Sequence, residues 1–466
     1  MRSLLRLPSR KSLRRTGWTL ATLVTLTCLT YAVINWRGAR MKRDALARLR
    51  ATGALLDAGA LPAMPPDAEN YAMIPLLRET VTTGHGRNRS ELQSADSRLA
   101  ALYNRDLEKI RKPLSPVPDF SRLPVKSPYG QSAPAFVEAY DRLNATALEE
   151  LRGALPRPFS QRALNSEDSS RSDLSVIDFH GARISLAMKG LLLRAVAALE
   201  IKDSPRAVES ILIWHRLAEV LCSRGTLVPL MAEGRDPLRR GIRGHLFTRA
   251  DLLQLQDAFR RADYRQRTLA SLHLRALDFQ LWSRWKEQPD LYSQTFASYI
   301  VNDPDPLWHW LQSHAVLLPD GFFDASAAHW ADGLGEMVRS AGTPGPLAGW
   351  WAAAREPAGA KGEWQWNYEL WLPRYAMVRG MQGSVVQSLN LLACDLERYY
   401  LEHGSYPDTL EPFERQSTLD PLTAQPLCYA RDGDGFRLYS VGPDGIDQGG
   451  GNSPPGDWYN SPDWVW

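Results

Sequence analysis

The sequence predicts a mainly α-helical chain with three parts: an N-terminal transmembrane helix, an α-helical bundle body, and a small C-terminal α+β domain of one long helix and an antiparallel sheet. Three observations carry this. An uncharged apolar run, "GWTLATLVTLTCLTYAVINW", occupies Gly17 to Trp36. Alanine and leucine recur at helical spacing through the middle of the chain. Near the end, "PLCYARDGDGFRLYSVG" reads as strand, Asp-Gly turn, strand.

The formal charge of +3 conceals a strong asymmetry. Residues 1–50 hold twelve Lys/Arg and one acid, Asp44, so the remaining chain carries a balance of −8. Phosphate contacts need basic surface, which argues against a nucleic-acid-binding body. Four cysteines in 466 residues exclude a disulfide-built scaffold. The length allows two or three domains. The expected divisions are a basic cytoplasmic tail (1–16), a span (17–36), a helical stem with proline-rich connectors (37–125), an α-helical domain (126–374) and an α+β domain (375–466).

The apolar run is long enough to cross a bilayer, which takes about 20 residues of helix. Its five threonines can bond back to the helix backbone, and Trp18 and Trp36 stand at its two ends, where indoles favour the headgroup region. The partner it implies is the lipid bilayer. The alternative is a cleaved signal peptide, but no small-x-small cleavage pattern follows the run. The residues before Cys28, "TLT", form no lipobox. Six Lys/Arg precede the span and six follow it, so the positive-inside rule nearly ties. Asp44 and the amino terminus tip it toward a cytoplasmic N-terminus. The expected location is the inner membrane, single-pass, with the bulk of the chain extracytoplasmic.

Beyond the span, residues 37–60 continue as a basic helix, broken by "LPAMPPDAEN". Segments 90–111 and 133–152 place apolar residues at helical spacing. "ISLAMKGLLLRAVAALEI" and "DSPRAVESILIWHRLAEVL" form an antiparallel hairpin, with Ser204 as cap and Pro205 in the first turn. Thr248 caps the next helix, with Asp251 close behind. From Gly333 to Gly362 the composition predicts loop with short helices. Tyr375 to Gly404 reads as a long helix ended by glycine.

The last ninety residues carry a combination of motifs. "DLERYYLEHGSYPDTLEPF" has a Gly-x-Tyr-Pro helix exit, an Asp-Pro precedes the sheet, and "LYSVGPDG" closes it. In this order they resemble the C-terminal domain of the type II secretion major pseudopilin, over about 80 residues. That resemblance implies a calcium-binding loop after the last strand, with Asp444 in a ligand position. The family's later acidic pair is not reproduced; Asp447, Asn452 and Asp457 stand nearby instead. Calcium takes six to eight oxygens from carboxylates and carbonyls, and these four side chains are the candidate metal ligands. The competing reading is an ordinary glycine-rich turn with solvent-facing acids. The N-terminal "RRTGWTLATL" imitates a prepilin leader, but Thr22 stands where a prepilin has Glu. Taken whole, the chain looks similar to bacterial membrane-anchored proteins with a span, an alanine- and leucine-rich middle and this ending.

Signatures of catalysis are missing. The nine histidines form no His-Glu-x-x-His, and there is no Walker loop or Gly-x-Ser-x-Gly elbow. His309, His314 and His329 are the one histidine group that a fold can bring together. Ten of sixteen tryptophans lie between 282 and 371, read as packing or as an aromatic binding surface. Cys394 and Cys428 lie on elements expected to pack together, so a disulfide is open to them. Three functions follow: a non-enzymatic envelope protein that binds protein partners, an envelope-polymer hydrolase with its site in 282–371, and a divergent pseudopilin-like secretion component.

Overall fold

The computed structural model describes residues 10–56, 63–77, 98–99, 101–103, 107, 128–161, 179–222, 235–282, 319–354, 368–450 and 463–466. Among these the chain is mainly helical, with one small sheet close to the C-terminus. The expected helix at 90–111 falls largely outside the described residues.

The apolar run and the basic stem form a single helix, α1, Arg10–Ala51. Each threonine of the run bonds the carbonyl four residues back, from Thr19 to Arg15 at 3.0 Å through to Thr30 to Leu26 at 2.8 Å. A side-chain hydroxyl satisfied this way carries no free donor into an apolar medium. The stem is shorter than the expected 37–60. Gly53 takes a left-handed φ of 82° and its N–H turns back to the Arg50 carbonyl at 3.0 Å, which ends the helix.

The second half of α1 is received by α9, Asp320–Gly342. The pairing is parallel: Gly321 meets Ile34 to Gly38, Asp324 meets Lys42 at 3.0 Å, and Asp332 meets Arg48 at 2.8 Å. A Cβ on Gly38 would lie 2.2 Å from the Gly321 carbonyl oxygen, and one on Gly321 would lie 1.9 Å from that of Ile34. The expectation of loop with short helices from Gly333 to Gly362 is therefore corrected over 333–342, which is helix, while a short helix does follow at 348–354 and residues 355–362 lie outside those described. Gly335 lies against Leu49 and Thr52, and Ala327, Ala328 and Ala331 are buried. Small residues lower helix propensity by about 1 kcal/mol at most per glycine, and the close approach they permit outweighs that.

Between these helices the chain builds the body. Helices α2 (Ala133–Leu143) and α3 (Ala145–Gly153) replace the single helix expected there. Asn144 separates them, buried, with its amide donating to the Tyr140 carbonyl at 2.9 Å. The hairpin is α4, Phe179–Glu200, and α5, Ser204–Cys222. Lys202 turns it at a φ of 60°, and the Asp203 N–H reaches the Ala198 carbonyl at 2.8 Å. The cap is Asp203 rather than Ser204. Its carboxylate accepts the Arg206 N–H at 3.2 Å, while the Ser204 hydroxyl is engaged by Asp251. Both helices are apolar on most sides because they stand between two cores. Leu199, Val208, Ile211 and Leu212 face one; Leu191, Ile213, Trp214 and Leu217 face the other. The second core also takes in Tyr71 to Leu77, which follows the proline-rich connector.

Helices α6 (Arg235–Arg243), α7 (Arg249–Arg260), α8 (Tyr264–Trp282) and α10 (Ala348–Ala354) complete the larger core. Thr248 and Asp251 form a reciprocal capping box on α7, as expected. All four pack on α11, Tyr368–His403, which also touches α9 and the sheet. Gly404 ends α11 at a φ of 74°. The hairpin β1 (Cys428–Asp432) and β2 (Gly435–Ser440) turns on Gly433–Asp434, with Asp432 opposite Gly435. Gly433 alone has positive φ there, as a II′ turn requires. Trp464–Val465 pairs antiparallel with β2 as β3. Cys394 and Cys428 are free rather than bonded; Cys394 is buried in the core, and Cys428 lies toward Asp447.

Gly321→Val forces α9 off α1, because the atoms it meets are backbone. Its expected cost is about 1–3 kcal/mol, the range for overpacking a close contact. Gly342→Ala meets open space and is expected to stay within about 1 kcal/mol of the parent. Thermal unfolding of both variants in detergent checks the contrast.

Candidate functional site

The loop after β2 is built by its own backbone. Ser440 is buried, donates to Asp420 at 2.7 Å, and accepts the Gly442 N–H at 3.1 Å. Burial pushes the Asp420 carboxyl up, and the Ser440 hydroxyl and backbone N–H groups oppose it. Gly442 and Gly445 both take a φ of 69°, so "VGPDG" closes as a tight turn. Asp444 accepts from the Ile446 N–H at 3.1 Å and the Gln448 side chain at 3.0 Å. Asp447 accepts from the Gly449 N–H at 2.8 Å and the Tyr439 hydroxyl at 2.9 Å. These two bonds, the Gly449 N–H first, hold its carboxyl below the usual carboxylate range.

A third acid that the motif reading missed joins them. Asp463, just before β3, accepts the Gln448 and Gly450 N–H groups at 3.1 and 2.8 Å. Burial raises its carboxyl, and the neighbouring Asp447 and Asp444 charges raise it further. No local motif marks it: the acid returns to the loop because β3 pairs with β2. Asp444 and Asp447 thus lie near enough for their charges to be felt at Asp463. Asn452 and Asp457 lie outside the described residues. Among the described residues no three His, Cys, Asp or Glu side chains are drawn together as ligands.

The tail locks this loop to the body. Trp464 and Trp466 are buried. The Trp466 ring stacks on Phe436 at 5.1 Å, its Nε1 donates to Asn390 of α11 at 3.1 Å, and Arg239 of α6 donates to its backbone oxygen at 2.6 Å. At the far end of α11, Tyr406 of the Gly-x-Tyr-Pro exit donates to Glu397 at 2.6 Å, and His245 meets the other oxygen at 3.0 Å. His245 stacks on Tyr400 at 3.9 Å. The exit motif is therefore a joint between the helix end and α6.

A buried cluster of titratable groups lies elsewhere, on α5. Glu219 is buried with Arg216, and Arg267 of α8 reaches it at 3.1 Å. Ser160 donates to it at 2.8 Å, and Arg216 also donates to the Phe159 carbonyl at 2.9 Å and lies over the Tyr71 ring. Burial pushes the Glu219 carboxyl up, but Arg267, Arg216 and the Ser160 hydroxyl together bring it below its ordinary value. A carboxylate held that low is a weak base, and its serine donates to it rather than to an imidazole. The arrangement joins the 70–71 and 159–160 segments to α5 and α8. His215 sits beside it, packed on Phe259 at 5.4 Å, and burial lowers its pKa to about 4.

Of the three histidines, His329 is exposed beside a groove lined by Met41, Asp44, Arg48 and Asp332. His309 and His314 lie outside the described residues. Trp330 and Trp350 are buried, and Trp350 Nε1 donates to the Ser340 carbonyl at 3.1 Å, so these two pack rather than line a surface. Trp308, Trp310, Trp364 and Trp366 lie outside the described residues. No family model matches the chain, and no curated protein and no solved structure is significantly similar to it.

Removing Glu219 leaves the buried Arg216 and the half-buried Arg267 without their shared partner. Glu219→Ala is expected to cost about 3–5 kcal/mol, the range for breaking a buried ion pair, read by denaturant unfolding. His215 gives the neighbouring site a pH signature. Its folded pKa lies below that of an unfolded histidine, so the unfolded chain takes the proton first. Stability is full above the unfolded value and drains as pH falls toward about 4. In His215→Gln the acid-side slope of the thermal midpoint between those values is expected to flatten.

Proposed function

We propose that this chain is a single-pass, membrane-anchored envelope protein with a binding or structural role, and that its body lies outside the cytoplasm. The observation that carries the reading is the division of α1. Its apolar window is wholly exposed, while Ala45 and Leu49 of the same helix are buried in the main core. A helix that is apolar on all sides and uncovered by protein calls for lipid. Continuity also favours retention over cleavage. The helix runs unbroken past Trp36, and Gly38 is pressed against α9 two residues later.

Inner-membrane location and a cytoplasmic N-terminus rest on the charge balance of the flanks. In the folded chain Lys42 and Arg48 of the following flank are engaged by Asp324 and Asp332, which lessens that flank's net charge and supports a cytoplasmic N-terminus. The binding role is supported by how the buried acids are used: each one described holds a joint. The C-terminal helix and sheet are read as a pseudopilin-like module, supported by the Tyr406 joint and the turn at Gly442–Gly445. Its loop is proposed to take calcium through Asp444 and Asp447 with Asn452 and Asp457. A divalent cation there would relieve the crowding of carboxylates felt at Asp463.

Membranes bearing the full chain test the anchor. It is expected to resist carbonate extraction and to need detergent for release; recovery in the soluble fraction would refute the reading. Protease added outside cells with opened outer membranes is expected to digest the body and spare the span. Calorimetric titration of the full chain in detergent is expected to show millimolar calcium binding that Asp444→Ala and Asp447→Ala each abolish. Flat traces for the parent would remove calcium.

A further inference from the structure

We infer that the start of α9 is a second membrane contact: Phe322 enters the lipid interface beside Trp36, so the body sits directly on the bilayer surface. This rests on the reading of α1 as a span. The geometry is a matter of level. Gly321 is in backbone contact with Ile34, and its N–H donates to the Asn35 side chain at 2.9 Å. Ile34 and Asn35 belong to the last turn of the apolar run. Phe322 is the next residue, and with helices paired side by side it stands within about one helical turn, roughly 5 Å, of the depth of Trp36.

The exposure agrees with a lipid contact. Phe322 is 50% exposed and Trp36 63%, two uncovered aromatic rings at one level. The exposed apolar surface of α1 continues upward through Val33, Leu29 and Leu26. Charge flanks the rings: Arg37 follows Trp36, Asp320 precedes Phe322 in the first turn of α9, and further along Asp324 pairs with Lys42 and Arg40 lies near Asp44 at 3.9 Å. Along α1 the order is apolar, aromatic, then charge, which is the order of acyl chains, interface and headgroups. The occupant is the bilayer itself, because this patch is continuous with the span. Apolar surface placed in the acyl boundary instead of water is stabilised in proportion to its area. Two contacts, a span and a ring, fix rotation about α1 as well as height.

Lipid-borne photolabelling of the otherwise unaltered chain tests this. The chain is reconstituted in nanodiscs of phosphatidylethanolamine and phosphatidylglycerol with a diazirine lipid whose reactive group sits near the glycerol level. Adducts are then mapped by mass spectrometry. Adducts are expected on the peptide carrying Leu26 to Trp36 and on that carrying Phe322, and not on the one carrying Leu253, an exposed leucine of α7. Phe322→Asp is expected to lower the yield on its own peptide severalfold while α1 stays labelled. A labelled span with an unmarked Phe322 peptide overturns this inference alone, whether water or another part of the chain covers the ring. An unmarked span overturns the anchoring reading as well. Equal labelling at Leu253 shows no preference for the interface and also overturns the inference.

Discussion

The backbone contact between Gly38 of α1 and Gly321 of α9 governs how the two halves of this molecule relate. An exposed apolar helix joined to a body by a free linker would leave the body able to tumble. Here the helix does not end at the junction. It continues for about three turns into the core, and a second helix runs beside it from the level of Ile34 downward. The glycines set the separation, and the Lys42–Asp324 and Arg48–Asp332 pairs set the register. The exposed pair adds little energy by itself. Its role is to exclude a slipped pairing, which would place Asp332 and Asp324 without partners.

Position is then carried from α9 to the far end of the chain through α11. That helix touches α6, α7, α8, α9, α10 and β2, so it is a shared wall rather than one partner among several. Its C-terminal half is tied twice. The Glu397–Tyr406–His245 group holds the exit, and Asn390 takes the Trp466 indole. Since Trp466 also stacks on Phe436, the sheet is anchored to α11 and α6 by the residue that follows β3. The acidic loop inherits this rigidity: β3 brings Asp463, and Asp463 closes Gln448 to Gly450.

Much of this was legible in the sequence where one local rule acts alone. The uncharged run, the capping box at Thr248, the two-residue hairpin and the glycine stop at 404 each depend on neighbouring residues, and each appears in the structure. What failed depended on partners far along the chain. Gly335 looks like a helix breaker until Leu49 and Thr52 are placed against it. Ser204 looks like a cap until Asp251 claims its hydroxyl. Asp463 is an unremarkable acid until β3 pairs with β2. The buried Glu219 cluster has no motif at all, since its members come from α5, α8 and two connecting segments.

That cluster also bears on what kind of protein this is. A catalytic acid or base needs a pKa near the working pH and access to a reactant. The charges buried here are arranged for the opposite end. Arg194 is nearly inaccessible and spans Asp141 of α2 at 2.6 Å and Ser210 of α5 at 2.6 Å, with Glu209 at 3.1 Å. Glu219 is shared between two guanidiniums and a hydroxyl. Such groups contribute little net stability compared with apolar replacements, but each tolerates only one geometry. They sit where segments from separate helices meet, so they fix angles between elements rather than fill volume. Among the described residues the polar interior thus specifies orientation between helices, and α1 passes without a break from its exposed apolar run into that core.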